Sequence, residues 1–209
     1  MPERSVAGLI SFDLSIRGRS GFLVAGFDEA GRGALAGPLA VGCVSFDLDD
    51  GCDLAAELPF LDDSKRVTPK RREILFEKIT SLARFGVGFS SAAEIDRLGI
   101  VKAALLASSR AYARMAHPVD VALLDRGLSL SGLGPSEVVL TRGDSRSFHI
   151  AAASIVAKVA RDRLMVSLDR RFPGYSLFRH KGYGTAAHRA AIGRLGPSKI
   201  HRLTFIHPR

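Results

Sequence analysis

Two adjacent acids, Asp28 and Glu29, follow the apolar run 22–27 (FLVAGF) and directly precede the glycine-rich stretch GRGALAG. Two more acids follow later apolar runs: Asp125 ends VALLD, and Asp144 comes shortly after EVVLTR. Ligand and catalytic sites of open α/β sheets gather beyond strand ends, so the four carboxylates are candidates for one cluster. All-oxygen surroundings favour Mg²⁺ or Mn²⁺ over zinc, and a pair of such ions can cleave phosphodiesters. The predicted chemistry is metal-assisted phosphodiester hydrolysis.

This prediction has a geometric condition at the first pair of acids. Adjacent residues of a strand point to opposite faces of the sheet, so Asp28 and Glu29 converge only if the strand breaks there. We expect the following Ala30 and Gly31 to break it. Taken singly, Asp125 or Asp144 is better explained as a turn cap, and only the set of acids favours a metal site.

The glycine-rich stretch is also compatible with a dinucleotide-binding site. In that alternative the chain would be an oxidoreductase. Its glycines, Gly31, Gly33 and Gly37, form the pattern G-x-G-x-x-x-G, one residue longer than the dinucleotide-binding spacing. The two preceding acids would repel a pyrophosphate, and the next segment is typical of a strand rather than a helix. The metal-site interpretation is therefore preferred.

The elements that must position these acids alternate between strand and helix patterns. Short apolar runs bounded by turn residues predict strands at 22–27, 38–46, 86–91, 119–125 and 137–142. Capping residues and 3.6-residue periodicity predict helices at 69–83, at 92–116 with a break near Gly99, at 147–171 and at 186–195. The alternation indicates an α/β domain with a central sheet, and it leaves the order and direction of the strands open.

Positive charge is concentrated in the last quarter of the chain. From Lys158 onward there are twelve Lys or Arg and two Asp, against a near balance before it, and aromatic residues are interleaved. Such a surface favours a nucleic-acid partner, although a solvated basic helix is the alternative. Without a secretory signal or an apolar span, we expect a cytoplasmic protein with Cys43 and Cys52 as reduced thiols.

Four segments in order, AGFDEAGRGALAGPLAVG, LDDSKRVTPKRRE, TRGDSRSFHIAAASIVAKVARDR and HKGYGTAAH, resemble bacterial ribonuclease HII. The resemblance covers residues 22–205. It implies a ribonuclease-H-like α/β fold, with a mixed five-stranded sheet flanked by helices and a helical C-terminal part. We therefore expect one domain over residues 1–209, with a catalytic core at about 20–170 and a basic helical part at about 171–209.

The resemblance also implies an activity: an endonuclease that acts with Mn²⁺ or Mg²⁺ on the RNA strand of RNA–DNA hybrids. It cuts on the 5′ side of a ribonucleotide embedded in duplex DNA, as in ribonucleotide excision repair, and leaves 3′-hydroxyl and 5′-phosphate ends. We expect two ions at turnover, a monomer, and no membrane partner. The alternatives left open are a hybrid nuclease resembling ribonuclease HIII and a non-catalytic nucleic-acid-binding protein.

Carried over position by position, the resemblance assigns roles to particular residues. The metal-binding acids are Asp28, Glu29, Asp125 and Asp144. The backbone of Gly31, Arg32 and Gly33 reads the ribose 2′-OH, which distinguishes RNA from DNA, and Tyr183 packs on the following sugar. Phosphate contacts are expected from Ser64, Lys65 and Lys181, with Arg146 and Lys158 as weaker candidates, whereas Asp162 is expected to be structural.

One position departs from the family pattern. The family usually has glycine directly after the third acid, whereas here Arg126 stands between Asp125 and Gly127. Asp125 itself matches the third acid of the family pattern, whereas the resemblance does not predict the conformation of the backbone after it. Ribonuclease HIII usually has Gly-Lys-Gly and an extra N-terminal domain, so Arg32 and the roughly 20 residues before the first strand favour ribonuclease HII.

Overall fold

Five strands form one mixed sheet in the computed structural model, which describes residues 5–17, 21–48, 53–130 and 132–206. The strand order is β3-β2-β1-β4-β5. The first three strands form an antiparallel meander, whereas β4 runs parallel to β1 and β5 runs parallel to β4. The strands are β1 (Val24–Ala30), β2 (Leu39–Ser45), β3 (Arg84–Ser90), β4 (Val121–Asp125) and β5 (Ser136–Leu140). The predicted mixed five-stranded sheet is confirmed.

Helices lie on both faces of this sheet and form the C-terminal part. They are α1 (Val6–Arg17), α2 (Leu54–Glu57), α3 (Pro69–Leu82), α4 (Ala92–Leu98), α5 (Ile100–Met115), α6 (Phe148–Arg171), α7 (Leu177–His180), α8 (Ala186–Leu195) and α9 (Leu203–Ile206). Of the helices in the described ranges, none has the length and apolar character needed to cross a membrane.

Sequence signals set several helix ends where they were predicted. The Thr68 hydroxyl accepts a hydrogen bond from the backbone N–H of Arg71, and Pro69 occupies the first turn of α3. Gly99, at φ +77°, separates α4 from α5. Ser147 caps α6, and Cys43 is a buried free thiol in β2. The other cysteine, Cys52, lies outside the described residues.

Glycines let the two longest helices lie directly on the sheet. A Cβ at Gly26 or Gly42 would meet the backbone of α6 at 2.2 or 2.5 Å, and a Cβ at Gly86 would meet the Ala111 carbonyl oxygen of α5 at 2.1 Å. These distances are far below van der Waals contact. The helices add small side chains at the same contacts, so α5 covers one face and α6 the other with closely packed cores.

Gly86→Ala should therefore destabilise the fold without touching the acids. The new methyl has only rigid backbone beside it, so we expect a loss of about 2–3 kcal/mol in the free energy of unfolding. Gly193→Ala is the matched control, since nothing lies within 4 Å of the position in α8 and helix propensity favours alanine by about 0.5–1 kcal/mol. Urea unfolding of both variants measures the difference, and equal stabilities would contradict the close packing of α5.

The C-terminal part packs against the second half of α6. Its core contains Met165 of α6, Tyr175, Leu177 and Ala191, together with Ala36 from the loop that follows β1. The residues before β1 also form a helix, α1, which the sequence patterns did not predict. Buried Asp13 of α1 accepts hydrogen bonds from the backbone N–H and the Nδ1 of His149, at 2.9 and 2.7 Å.

Candidate active site

The end of β1 carries the first two acids. This strand continues through Asp28, Glu29 and Ala30, all of which pair with β2, so the expected break at the two acids is wrong. Pairing with β4 ends earlier, at Phe27 opposite Leu124. The last three residues of β1 therefore extend beyond the paired part of β4, with an open side next to the end of that strand.

Asp125 fills this open side because it is the first residue of β4 after the last pair with β1. Carboxylate oxygens of Asp28, Glu29 and Asp125 lie within 4.8 Å of one another. The two neighbouring acids thus converge without a strand break. Asp125 Oδ1 accepts a hydrogen bond of 2.8 Å from the backbone N–H of Gly143, which holds its side chain towards the following segment.

The three carboxylates have the donor set and the electrostatics of a divalent-cation site. Burial, followed by the charges of Glu29 and Asp125, raises the pKa of Asp28 well above its usual value. Glu29 Oε1 accepts from Arg32 Nε at 2.8 Å, whereas its buried Oε2 has no hydrogen-bond partner among the described residues. The carboxylates of this cluster repel one another, and one buried oxygen has no hydrogen-bond partner among the described residues. A hard cation, which prefers oxygen ligands, fits such a cluster.

Asp144 lies beside this group of three and outside it. It occupies the short 3-10 helix Gly143–Ser145, and its side chain is buried. Burial raises the pKa of Asp144 to about 6, and the charges of Asp63 and Asp125 add to the shift, while Lys65 opposes it. The fourth predicted acid, Asp144, is therefore close enough to Asp125 for the charge of that residue to raise its pKa.

Asp63 is a fifth acid at the site, and the sequence interpretation missed it. Its carboxyl group is hydrogen-bonded to that of Asp144 and also accepts from the backbone N–H of Lys65 at 2.9 Å. The available signal was the pair of acids in LDDSK, directly before the predicted phosphate contacts. Only the tertiary approach of this segment to Asp144 gives the second of these acids a place at the site.

Asp144→Asn should stabilise the metal-free protein at neutral pH. The pKa is raised in the fold, so the metal-free fold loses stability as the pH rises from about 4 to about 6. Halved for solvent screening, a shift of this size is worth about 1.5 kcal/mol, or roughly 3–6 °C in Tm. Thermal melts in EDTA at pH 7.5 measure the gain.

The matched control for that melt is Asp162→Asn. Asp162 accepts from Lys158 Nζ at 2.9 Å, so removal of its charge should leave the Tm unchanged or lower it. A lower Tm for Asp144→Asn than for the control would contradict the repulsion between the clustered acids. The contact with Lys158 also agrees with the structural role expected for Asp162.

The backbone after Asp125 accommodates the departure at Arg126. The chain turns there, with the N–H of Leu128 donating to the Asp125 carbonyl and Gly127 at φ +98°. Glycine is needed at the position with positive φ, one residue later than the family pattern. Arg32 connects this turn to the acids, since its Nη2 donates to the Gly127 carbonyl at 3.1 Å and its Nε donates to Glu29. The side chain of Arg126 lines the cleft beside the acids.

The predicted sugar-reading stretch forms the exposed end of a loop over residues 31–38. Gly31 has φ +89°, and a Cβ there would overlap the buried Arg161 side chain. The N–H of Ala34 donates to the Gly31 carbonyl, which closes a turn around Arg32 and Gly33. Within the described part of the chain, the N–H groups of these two residues donate to no acceptor. They are therefore free to meet a substrate oxygen.

Tyr183 lies next to this loop because the chain around it is bonded to the loop. The preceding Gly182 carbonyl accepts from the N–H groups of Leu35 and Ala36, at 2.9 and 3.2 Å. The Tyr183 ring is partly exposed and lies 5.4 Å from the Arg161 guanidinium carbon. The structure thus brings together the loop that is predicted to contact the ribose 2′-OH and the tyrosine that is predicted to pack on the next sugar.

Three histidines hold the turn that carries Tyr183. His188 Nδ1 donates to the Tyr183 carbonyl at 3.0 Å, and its Nε2 lies 3.2 Å from His201 Nε2. His201 accepts at Nδ1 from the backbone N–H of Ser198, so it donates at Nε2. The His180 ring stacks on His188 at 4.2 Å. Burial lowers the pKa of His188 to about 4 and keeps the contact in its neutral form.

The predicted phosphate contacts are less uniform in placement. Lys65 faces the acidic cleft, where burial lowers its pKa but the charges of Asp63 and the other acids raise it overall. The Ser64 side chain is buried. Lys181, at the end of α7, donates to the Phe178 carbonyl. Of the weaker candidates, Lys158 is paired with Asp162, and Arg146 lies over the Phe12 ring at 5.1 Å.

Comparison with known proteins shows to which family the chain belongs. The sequence profile of the family described as Ribonuclease HII matches residues 25–207. The chain belongs to the ribonuclease HII family. A ribonuclease HII of Syntrophotalea carbinolica is 50% identical over 183 residues, which cover 87% of this chain and 84% of the relative. The corresponding protein of Geobacter metallireducens is 49% identical over 189 residues, which cover 90% and 85%.

The fold of solved ribonuclease HII proteins agrees with this membership. Ribonuclease HII of Archaeoglobus fulgidus, solved in a complex with PCNA, superposes with a TM-score of 0.70 at 25% identity and covers 90% of this chain and 96% of that one. The prediction of a ribonuclease HII with a helical C-terminal part is confirmed, and the chain is a ribonuclease H. The oxidoreductase and the non-catalytic binder are thereby set aside.

Proposed function

We propose that the protein hydrolyses the RNA strand of RNA–DNA hybrids and cuts on the 5′ side of ribonucleotides embedded in duplex DNA, leaving 3′-hydroxyl and 5′-phosphate ends. The observation that carries this proposal is the convergence of Asp28, Glu29 and Asp125 beside a loop with free N–H groups. A hydrolytic centre and a sugar-contacting surface thus adjoin each other. The biological setting would be ribonucleotide repair in the cytoplasm by a monomer.

The residues proposed to hold two Mg²⁺ or Mn²⁺ ions are Asp28, Glu29, Asp125 and Asp144. When bound, such ions lower the pKa of a water nucleophile and stabilise the leaving 3′ oxygen. The carboxylates supply ligands, and none is required as a covalent nucleophile. Arg32 orients Glu29 by donating to Oε1, which leaves Oε2 as the free ligand atom. Asp63 adds negative charge beside Asp144.

Substrate selection is assigned to the loop and the neighbouring aromatic ring. The free N–H groups of Arg32 and Gly33, with the backbone of Gly31, would donate to the 2′ oxygen of a ribose. The ring of Tyr183 would pack against the next sugar, where deoxyribose fits and a 2′-OH crowds it. Lys65, together with Ser64 and Lys181, would contact phosphates. DNA lacks the 2′-OH and is thereby rejected.

Cleavage of an end-labelled DNA duplex that contains one ribonucleotide tests the proposal. With Mn²⁺ or Mg²⁺ we expect a single cut on the 5′ side of the ribonucleotide, with a 3′ end that a DNA polymerase extends. EDTA should abolish the cut, and an all-DNA duplex should remain intact. A cut on the 3′ side, a cyclic-phosphate end, or cleavage in EDTA would each overturn the proposal.

A further inference from the structure

A buried arginine of α6, Arg161, binds the loop over residues 31–38, which is predicted to contact the ribose. The Arg161 side chain has no exposed surface. Its Nε donates to the Pro38 carbonyl at 2.9 Å, and its Nη2 donates to the Ala36 carbonyl at 3.2 Å. The same side chain fills the space beside Gly31 that any Cβ would enter. Arg161 therefore contacts both ends of the loop over residues 31–38.

A second buried arginine, Arg202, holds the middle of the same loop. Its Nε donates to the Gly37 carbonyl at 3.1 Å, and its Nη1 donates to the Arg32 carbonyl at 2.8 Å. Its own backbone N–H donates to the Leu35 carbonyl at 2.8 Å. Together, Arg161 and Arg202 donate to five of the eight carbonyl groups of the loop, those of residues 32 and 35–38. The N–H groups of Arg32 and Gly33 remain outside.

Burial of two guanidinium groups lowers the stability of the fold, so stability does not explain why arginine occupies these positions. Burial and the neighbouring Arg161 charge lower the pKa of Arg202 to about 9, and burial also lowers that of Arg161. Each group also has one buried nitrogen without a partner among the described residues, Nη1 of Arg161 and Nη2 of Arg202. Apolar side chains of similar volume would fill such space at lower cost. What they lack is a planar set of donors that fixes several carbonyl groups at once.

Arg161 also connects the loop to the tyrosine. Its guanidinium carbon lies 5.4 Å from the centre of the Tyr183 ring, within the range of a cation–π contact. The Gly182 carbonyl, one residue before that ring, accepts from the N–H groups of Leu35 and Ala36. The distance between the free N–H groups and the ring is thus set by one buried side chain and two backbone bonds.

We propose that Arg161 and Arg202 are positioning residues that fix the 31–38 loop relative to Tyr183, and so determine the preference for a single ribonucleotide followed by deoxyribose. This inference rests on the proposed function of the loop and the ring. Neither arginine touches the substrate, because both side chains are buried. They act through the backbone carbonyl groups that they hold.

The two kinds of substrate should respond differently to a loosened loop. In a duplex with one ribonucleotide, a single 2′-OH is available, and the loop and the ring must fit that one junction. In a continuous RNA strand every register offers a 2′-OH, so a displaced loop still finds one. A displacement of the loop by about 1 Å lowers the cleavage rate when only one geometry of the substrate is productive. Loss of positioning therefore appears as a change in the ratio of the two rates.

The test compares Arg161→Lys and Arg202→Lys with wild type on the two duplexes, with kcat and KM measured separately. Lysine keeps the charge and loses the planar donors. For the single ribonucleotide we expect kcat to fall about tenfold or more with KM within about threefold, and for the continuous hybrid we expect kcat within about threefold. The matched control is Arg110→Lys, which alters an arginine that donates to the Phe89 carbonyl and to Glu94 rather than to a carbonyl of the loop.

The possible outcomes separate this proposal from the one on which it rests. If wild type does not cut the single-ribonucleotide duplex, the proposed function fails. If wild type cuts it and the two Lys variants lose rate equally on both substrates, or lose none, only the positioning role is overturned. A change of ratio in Arg110→Lys as large as in Arg161→Lys also overturns it, since any disturbed arginine would then suffice.

Hydrogen exchange gives a measurement that does not depend on enzyme activity. The amides of Leu35, Ala36 and Gly37 are bonded and held, so they should exchange about 10²-fold more slowly than those of Arg32 and Gly33. In Arg161→Lys, the bonded amides should exchange faster while those of β3 remain slow. Equal, fast exchange throughout the loop of wild type would overturn the proposal, because a loop that is not held has no fixed position.

Discussion

Asp28→Asn should lower kcat for an RNA–DNA hybrid by about 10³-fold or more while leaving duplex affinity within about threefold. The substitution keeps the shape of a buried side chain and removes one of three carboxylates that lie within 4.8 Å of one another. It takes away ligand charge, whereas the proposed contacts to sugar and phosphate remain. Single-turnover cleavage in Mn²⁺ and fluorescence anisotropy in EDTA measure the two effects separately.

The control for this experiment is Glu73→Gln, which removes an exposed carboxylate of α3 that pairs with Arg163. We expect its turnover to match that of wild type. Asp28→Asn should also melt at a higher temperature than wild type without metal, because it removes the burial of a charge and the repulsion from Glu29 and Asp125 that together raise the pKa of Asp28. Retained turnover in a folded Asp28→Asn protein would refute the assignment of the metal site.

Tyr183→Ala should lower cleavage at a single ribonucleotide by roughly 5- to 150-fold, the rate equivalent of losing one ring–sugar contact of about 1–3 kcal/mol. Cleavage of a continuous RNA strand should fall less, because the ring is proposed to select the deoxyribose after the ribonucleotide. The ring is partly exposed, and its backbone is held by His188 and His180, so truncation should leave the turn in place.

Tyr183→Phe is the matched control, and it should keep most of the activity if packing of the ring carries the effect. Initial rates on the two duplexes, measured side by side for both variants, give the comparison. An equal loss on both substrates would count against a role at the junction. A loss in Tyr183→Phe as large as in Tyr183→Ala would assign the effect to the hydroxyl group instead.

The positions of the acids were predictable because local patterns mark strand ends. Apolar runs that end on Asp28 and Asp125 placed both residues at the same edge of the sheet before the strand order was known. Local signals also placed the start of α3 at Thr68 and the break at Gly99. Such signals act within a few residues, so they can be recognised in the sequence alone.

Features that depend on distant partners were not predictable in this way. The extension of β1 through Ala30 requires β2 as a pairing partner, and the role of Asp63 requires the approach of Asp144. Helix α1 was missed because its one fully buried polar group, Asp13, has its partner at His149, 136 residues later in the chain. Likewise, no local pattern indicates that Arg161 and Arg202 lie under the same loop.

Helix α6 determines which parts of the chain can change in length. It extends over 24 residues, about 36 Å, and its first half packs on Gly26 and Gly42 while its second half carries Arg161. An α-helix turns by about 100° per residue. One residue inserted between Ala157 and Arg161 would therefore rotate the guanidinium group away from the Ala36 and Pro38 carbonyls.

Residues 132–135, directly before β5, have no such constraint, since they form neither helix nor strand and none of them is buried. Insertions there would lengthen a surface connection and leave both the acids and the loop in register. The chain can thus vary in length at residues 132–135, whereas the number of residues between the sheet contact of α6 and its arginine is fixed by the helical repeat.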